Sequence, residues 1–290
     1  MLRVKKLAVT LCALACAASA FAAEQGVEPQ AAQLHGMHGL ITNSMVTSWV
    51  VAVVVIIAVR LAIRKPKLVP TAGQAIVESL VQGVLDLTEP IVGKKVAQHT
   101  FPLLIGLFTY ILAQNWSSLF PGVGTVFMTN GHGGWTEFVR PGNADLNSTL
   151  ALAAVSMVCW LYFVVRYAGI GFIARDLFGN KADPKEVPAY IYFPLFLVFF
   201  AVGLIEVISI IVRPISLSLR LFGNVFGGEN LLHSMSEITR WGLPIPFYFL
   251  ELLIGFVQAL VFVLLVSVYI GLLCNHGDDH AAGHESESGH

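Results

Sequence analysis

Arg220 lies in the most apolar third of the chain, in the run Pro-Ile-Ser-Leu-Ser-Leu-Arg-Leu-Phe-Gly-Asn. A guanidinium keeps its proton, because its pKa lies above ~12. Placing that charge at bilayer depth costs ~2.5–3.5 kcal/mol on insertion scales, so intramembrane arginines usually have a counter-charge or take part in charge transfer. Arg220 therefore predicts a site that handles charge inside a membrane.

Other polar side chains share the helical face of Arg220. At 100° per residue, they fall within ~80° of one another, while the remaining faces of this helix are Ile, Val, Leu and Phe. The residues of this polar face are Glu206, Ser209, Arg213, Ser216, Arg220 and Asn224. Pro214 is expected to kink the helix, so these angular positions are approximate on either side of it.

A second group of polar residues lies on other faces. Glu229 is about 180° from Arg220, and His233 follows it by one turn. On the last apolar segment, Glu251 and Gln258 are seven residues apart and share a face, with Gly255 between them. Partly desolvated carboxyl groups can exchange protons, whereas a guanidinium cannot. A permanent cation flanked by two acidic paths indicates stepwise proton transfer between two half-channels.

The sequence leaves structural interpretations open for several of these residues. A buried Glu–Arg pair can be purely structural, Arg213 can snorkel or pair with Glu206, and buried serines commonly bond their own helix. Small and amide side chains at helix contacts also serve packing and interhelical hydrogen bonds. These interpretations apply to Ser209, Ser216, Asn224, Gly227, Gly228 and Gln258.

Composition places the chain in the membrane. The 290 residues are 56% hydrophobic and only 12% charged, against about 25% charged in soluble domains. The net charge of −1 provides no basic surface for nucleic acid. The sequence contains no phosphate-binding Gly-x-x-x-x-Gly-Lys-Ser/Thr motif and no His-Glu-x-x-His or Gly-x-Ser-x-Gly motif. We therefore expect no cofactor, no metal and no nucleotide chemistry in this chain.

The apolar runs predict an all-α integral membrane protein with about five transmembrane helices and one amphipathic surface helix. The last two runs, of ~65 Å and ~48 Å as helices, exceed the ~30 Å hydrocarbon core. The first of them must tilt steeply, break or fold back, and we expect both to be long, steeply tilted helices. The predicted spans are 44–63, 101–119, 150–165, about 190–233, and 243–274, and the amphipathic helix is 74–89.

The two ends of the chain have different characters. Residues 1–22 read as a signal peptide with a basic start, an apolar stretch and an Ala-Phe-Ala cleavage site. The membrane domain then covers 23–275, and the His- and acid-rich tail 276–290 is expected to be disordered and cytoplasmic.

Loop charges predict the orientation, because Lys and Arg concentrate on the cytoplasmic side. With the mature N-terminus outside, the outer loops hold only Arg140 and Arg240. The inner loops then hold Arg60, Arg64, Lys65, Lys67, Lys94, Lys95, Arg166, Arg175, Lys181 and Lys185.

The segment from Arg213 to Glu229, Arg-Pro-Ile-Ser-Leu-Ser-Leu-Arg-Leu-Phe-Gly-Asn-Val-Phe-Gly-Gly-Glu, closely resembles the hallmark helix of the a subunit of F-type ATP synthase. The resemblance extends over most of the chain after residue 35. It includes Gln74 and Glu78 in the amphipathic segment, 115–121, the loop 141–149, and 249–258.

This resemblance implies a stator subunit in the inner membrane that works with a ring of c subunits, a b subunit and the rest of the synthase. It implies an essential charge at Arg220 that faces the ring carboxylate. It places the outer half-channel at Asn224, Glu229, Glu251 and Gln258, and an inner-side acid at Glu206. Some relatives carry His where this chain carries Glu251, so two close carboxylates are expected to share a proton here. The competing functions are a self-contained ion transporter or channel and, in a different class, an intramembrane hydrolase.

Overall fold

The structure, a computed structural model, describes residues 42–63, 69–120, 127–129, 135–137, 140–167, 169, 189–238 and 244–287. Side chains are described within these ranges except for 127–129, 135–137, 189–197, 236–238 and 273–287. The predicted signal peptide and several of the predicted inner-loop cations lie outside the described residues. The division into signal peptide, membrane domain and tail stays a prediction.

The described residues form six α-helices and one short pair of strands. The helices are α1 Asn43–Ala62, α2 Ala72–Val92, α3 Lys94–Ser117, α4 Leu146–Tyr167, α5 Ala189–Ile238 and α6 Pro244–Glu287. Strand β1 Phe127–Thr129 pairs antiparallel with β2 Trp135–Glu137, and a 3₁₀ turn Gly142–Ala144 precedes α4.

Five of the helices in the described part of the chain are long and apolar enough to cross a membrane. These spans are Asn43–Ala62, Lys94–Ser117, Leu146–Tyr167, Val198–Met235 and Pro244–Leu272. The prediction of an all-α integral membrane protein is confirmed. The long fourth run is one helix that continues through Pro214. The strand pair was not predicted, since its Gly-rich segment was assigned as loop.

Helix α2 is the predicted amphipathic element. Val84, Thr88 and Val92 are buried, while Gln82 and Asp86 are exposed and joined by a hydrogen bond of 2.6 Å from Gln82 Nε2 to Asp86 Oδ1. The sequence pattern placed Gln74 on the polar face, but this side chain is buried and donates to Glu78 Oε1 at 2.7 Å. Its amide has a local carboxylate partner, which compensates for its desolvation.

The chain divides into two compact units. Unit 1 consists of Met1–Val55, Ile111–Thr149 and Arg220–Gln258, and unit 2 of Ile56–Tyr110, Leu150–Leu219 and Ala259–His290. Helices α1, α3, α4, α5 and α6 each contribute residues to both units.

The interior of unit 2 is mainly apolar, with Phe108 and Phe262 among its largest fully buried side chains. Its buried hydroxyl groups hydrogen-bond carbonyls of their own helices, which satisfies them without a partner on another element. The bonded pairs are Thr88 with Val84, Thr100 with Val96, Ser156 with Ala153, Ser218 with Ile215, and Ser267 with Val263. Between helices, Trp160 Nε1 donates to the Tyr269 carbonyl at 2.7 Å.

Helices α2 and α6 approach closely at Gly271 in unit 2. A Cβ added there would overlap the carbonyl oxygen of Ile91, which is backbone and cannot rotate away. We expect Gly271→Ala to destabilise the subunit by ~1–3 kcal/mol through overpacking. A lowered Tm of the purified complex in detergent would register this loss.

Gly83→Ala is the matched control for that substitution. Gly83 is an exposed residue of α2 with no atom within 4 Å of an added Cβ, so the Tm should hold or rise slightly because Ala favours helix. Equal Tm values for both variants would disprove the close contact at Gly271.

Candidate functional site

Unit 1 differs from unit 2 in how its buried polar groups are bonded. Several of its buried side chains bond elements that are distant in sequence, although Thr149 bonds carbonyls of its own turn and Arg140 a carbonyl four residues away. The bonds are Ser44 Oγ to Asp145 Oδ2 at 2.9 Å, Gln114 Nε2 to the Ser48 carbonyl at 3.3 Å, Asn143 Nδ2 to Asn115 Oδ1 at 2.8 Å, and Asn115 Nδ2 to the Gly255 carbonyl at 2.9 Å. These bonds between different elements make unit 1 the candidate functional region.

The carboxyl group of Glu251 packs directly against Gly228. Glu251 is buried, at 8% exposure, and an added Cβ on Gly228 would overlap its carboxyl carbon and both oxygens. Only a glycine leaves space for this carboxyl group on α5. Packing within the subunit was one of the interpretations that the sequence left open for Gly228, and the structure identifies the group that packs there.

Asn224 and Gln258 join α5 to α6. Asn224 Nδ2 donates to Gln258 Oε1 at 2.7 Å, one helical turn before Gly228 on α5. Gln258 is buried, at 4% exposure. Asn224, Gly228, Glu251 and Gln258 together are called the Glu251 cluster below. The structure brings three predicted site residues, Asn224, Glu251 and Gln258, together around Gly228.

Helix α3 holds the segment of α6 that carries Glu251 and Gln258. The Asn115 amide donates to the Gly255 carbonyl, and Trp116 Nε1 donates to the Leu252 carbonyl at 3.2 Å. Both carbonyls lie between Glu251 and Gln258 in sequence. Two side-chain donors therefore restrict rotation and sliding of this part of α6.

Arg220 lies on the outward side of α5. It is exposed, as are Gly223, Gly227 and Leu231 on the same face, whereas Leu221 and Val225 are buried on the opposite side. Arg220 makes no hydrogen bond or ion pair with any other residue that the structure describes. The two glycines leave the backbone bare beside the guanidinium, which permits close approach of another helix.

Glu229 follows Gly228 in α5 and is half-buried, with its Oε2 atom enclosed. His233, one turn further, is exposed. The sequence predicted Glu229 on the side of α5 away from Arg220, and the enclosed carboxylate oxygen fits that position.

Glu206 and Arg213 belong to unit 2, so the structure does not group Glu206 with the Glu251 cluster. Glu206 is half-buried. The Arg213 guanidinium lies over the Tyr269 ring, 4.7 Å from the ring centroid. Such a cation–π contact contributes about 0.5–2 kcal/mol. It was not predicted, since the sequence suggested that Arg213 either snorkels or pairs with Glu206.

Two comparisons with known proteins found matches over most of the chain. Residues 45–271 match the family model described as ATP synthase A chain. The chain is 31% identical over 230 residues to ATP synthase subunit a of Moorella thermoacetica (strain ATCC 39073 / JCM 9320), a match that covers 79% of this chain and 89% of that protein.

The chain belongs to the ATP synthase subunit a family.

As an ATP synthase subunit a, the chain is a multi-pass membrane protein that works within a larger proton-translocating complex. Its sequence pointed to Arg220, Asn224, Glu251 and Gln258, but not to the buried polar residues that α1, α3 and the segment before α4 contribute. The missed residues are Ser44, Ser48, Gln114, Asn143 and Asp145. One signal was available, since Gln114 and Asn115 are adjacent amides inside a predicted transmembrane run.

Proposed function

We propose that this subunit passes protons to and from a ring of c subunits, with Arg220 facing the ring carboxylate. The observation that carries the proposal is the position of Arg220. Its guanidinium is exposed at membrane depth beside two glycines, and no described residue of its own chain pairs with it. A permanent cation in that position requires an acid from a neighbouring subunit.

The Glu251 cluster suits the uptake side of this path. A proton from outside reaches Glu229 and Glu251, whose carboxyl groups can accept and release it. Asn224 and Gln258 exchange no net proton, but their amides orient hydrogen bonds along the way. The proton then neutralises a ring carboxylate, which can enter the lipid at much lower cost once uncharged.

Arg220 separates uptake from release. It attracts the ionised ring carboxylate and so favours loss of the proton from the arriving acid. It does not carry protons itself, because it cannot be deprotonated. Release on the inner side is assigned to Glu206, the half-buried acid of unit 2.

This function needs partners and a defined orientation. We infer the c-ring, a b subunit and the peripheral ATPase as partners, in the inner membrane, with the mature N-terminus outside and the C-terminus in the cytoplasm. The positive-inside bias of the loops supports this orientation.

Photo-crosslinking tests the direction in which the Arg220 face points. Leu231 lies on that face of α5 and is 36% exposed. We expect Leu231→Cys carrying a benzophenone maleimide to form adducts with c subunit in native membranes. Adducts would be identified by mass and by antibody.

Val158→Cys is the matched control, because this residue of α4 is apolar and 68% exposed. It should give lipid adducts and no c-subunit adduct. Equal c-subunit yield at the two positions, or none at Leu231, would contradict the assigned face. A self-contained transporter would show no c-subunit adduct at either position.

A further inference from the structure

Arg213 is a second permanent cation of α5, two turns before Arg220. It is half-buried, and it makes no hydrogen bond or ion pair with another residue that the structure describes. Its guanidinium instead lies over the Tyr269 ring of α6, 4.7 Å from the ring centroid. The negative face of the ring compensates part of this charge, which would otherwise be costly at membrane depth. The contact therefore links α5 to α6 through a charged group.

The turn of α6 that carries Tyr269 is held on two sides within unit 2. Trp160 of α4 is 5% exposed, and its Nε1 donates to the Tyr269 carbonyl at 2.7 Å. Two residues later, Gly271 packs against the Ile91 carbonyl of α2. Because α4 and α2 both hold this backbone, the ring is a rigid support for the Arg213 guanidinium.

The contact between Arg213 and Tyr269 has the same spacing as another link between α5 and α6. Asn224 follows Arg213 by 11 residues on α5, and its partner Gln258 precedes Tyr269 by 11 residues on α6. Eleven residues make about three helical turns, so the two linked residues share a face on each helix. Two such links, one on either side of Arg220 in sequence, oppose rotation of α5 about its axis.

The direction of the Arg220 side chain depends on that rotation. By helical phase, Arg220 lies only about 20–40° from Arg213 and Asn224, at the edge of the face that contacts α6. Its side chain is exposed, whereas the next residue, Leu221, is fully buried. Side chains reach about 5–6 Å from a helix axis, so a rotation of about 20° moves them by about 2 Å. A misplacement of about 1 Å can already reduce rates about 100-fold at a positioned site.

We propose that Arg213 and Tyr269 are positioning residues for proton transport. Their cation–π contact, called the Arg213 anchor below, fixes the rotation of α5 and so holds the Arg220 guanidinium toward the neighbouring subunit. The anchor rests on the proposed function of Arg220, since it concerns how that residue is presented. The part of Tyr269 that matters is the face of its ring, because its hydroxyl makes no hydrogen bond with another described residue.

Fluorination of the ring at position 269 tests the anchor. Fluorine withdraws negative charge from the face of an aromatic ring, which weakens a cation–π contact, and it changes the size of the ring little. Phenylalanine, as the reference, and its mono-, di- and trifluorinated forms are introduced at position 269 by amber suppression in the assembled complex. Initial rates of dye quenching in inverted vesicles measure pumping, at fixed membrane-bound ATPase activity.

We expect the pumping rate to fall with each added fluorine, by about tenfold across the series. This loss lies within the range of about 2- to 30-fold to which the strength of a cation–π contact corresponds. A ring that served only to fill space would give one rate for the whole series. That result would overturn the anchor.

Two controls make the result specific to this contact. In an Arg213→Leu background, pumping should already be slow, and fluorination at position 269 should change it no further. A stepwise fall that persists there would overturn the anchor, because the effect would not pass through Arg213. Tyr162 of α4 is 63% exposed, and no described cation lies over its ring, so the same series at 162 should leave pumping unchanged. An equal fall at 162 would also overturn the anchor.

Tyr269→Leu and Arg213→Leu, singly and together, provide a second test should the fluorinated chains fail to assemble. Each single variant should pump about tenfold more slowly than wild type. The double variant should be no slower than either, because both changes remove the same contact. Losses that multiply in the double variant would contradict a shared role.

Failure of the anchor and failure of the proposed function give different results. If Arg220 does not act on the rotor, Arg220→Ala pumps normally. If only the anchor is wrong, Arg220→Ala loses pumping while the fluorinated series at position 269 keeps a constant rate.

Discussion

Replacing Arg220 with alanine is expected to abolish ATP-driven proton pumping while the complex still assembles. Arg220 is exposed on α5 and bonds no described residue of its own chain, so its removal breaks no internal contact among those residues. What is lost is the fixed charge that opposes the ring carboxylate. Without it, the two sides of the path are no longer separated by a group that holds its proton.

Dye-quenching in inverted vesicles measures the pumping, and membrane-bound ATPase activity measures assembly. Arg166→Ala is the matched control, since this exposed arginine ends α4, and it should pump as wild type does. Arg220→Lys tests whether the positive charge must be permanent. A lysine keeps a cationic group at this position, but its ammonium loses its proton readily when desolvated. Normal pumping by Arg220→Ala would refute the proposed role.

The substitution Gly228→Ala is expected to remove most pumping for a steric reason. Its Cβ would occupy the position of the Glu251 carboxyl group. The carboxyl group must then leave its place beside α5, and a displacement of about 1 Å can reduce rates by ~10²-fold in a positioned site. Initial rates of dye quenching at fixed ATPase activity would show this loss.

Two further variants make that result specific. Gly106→Ala adds a methyl group in α3, where no atom lies within 4 Å of the new Cβ, and it should pump normally. Glu251→Asp shortens the carboxyl side chain by one methylene, so Gly228→Ala combined with Glu251→Asp should pump faster than Gly228→Ala alone. A Gly228→Ala variant with unchanged rates would show that the Glu251 position does not limit transport.

The helices of the membrane domain were predictable because each span is a long, uninterrupted apolar run. The sequence also predicted the amphipathic character of α2 and the exceptional length of the run that forms α5. It did not predict the strand pair β1 and β2, since short strands in a Gly-rich segment have no periodic pattern. Nor did it indicate that α5 would continue through Pro214, because a proline predicts a kink and not its size.

The candidate site was predictable only along single helices. Helical phase placed Arg220 and Asn224 on one side of α5 and Glu251 with Gln258 on one side of α6. Contacts between helices have no such signal in one sequence. Asn115 and Gly255 are 140 residues apart, and the fit of Glu251 against Gly228 depends on a helix crossing that composition does not specify.

Five buried hydroxyl groups of unit 2 are bonded within their own helices, and this bears on electrical insulation. A membrane potential of 100 mV acts on every mobile charge with ~2.3 kcal/mol, so any stray file of water through the subunit would dissipate it. In unit 2, the hydroxyls of Thr88, Thr100, Ser156, Ser218 and Ser267 are turned onto their own helices. These five hydroxyl groups therefore offer water no free donor, which opposes a stray file of water along them.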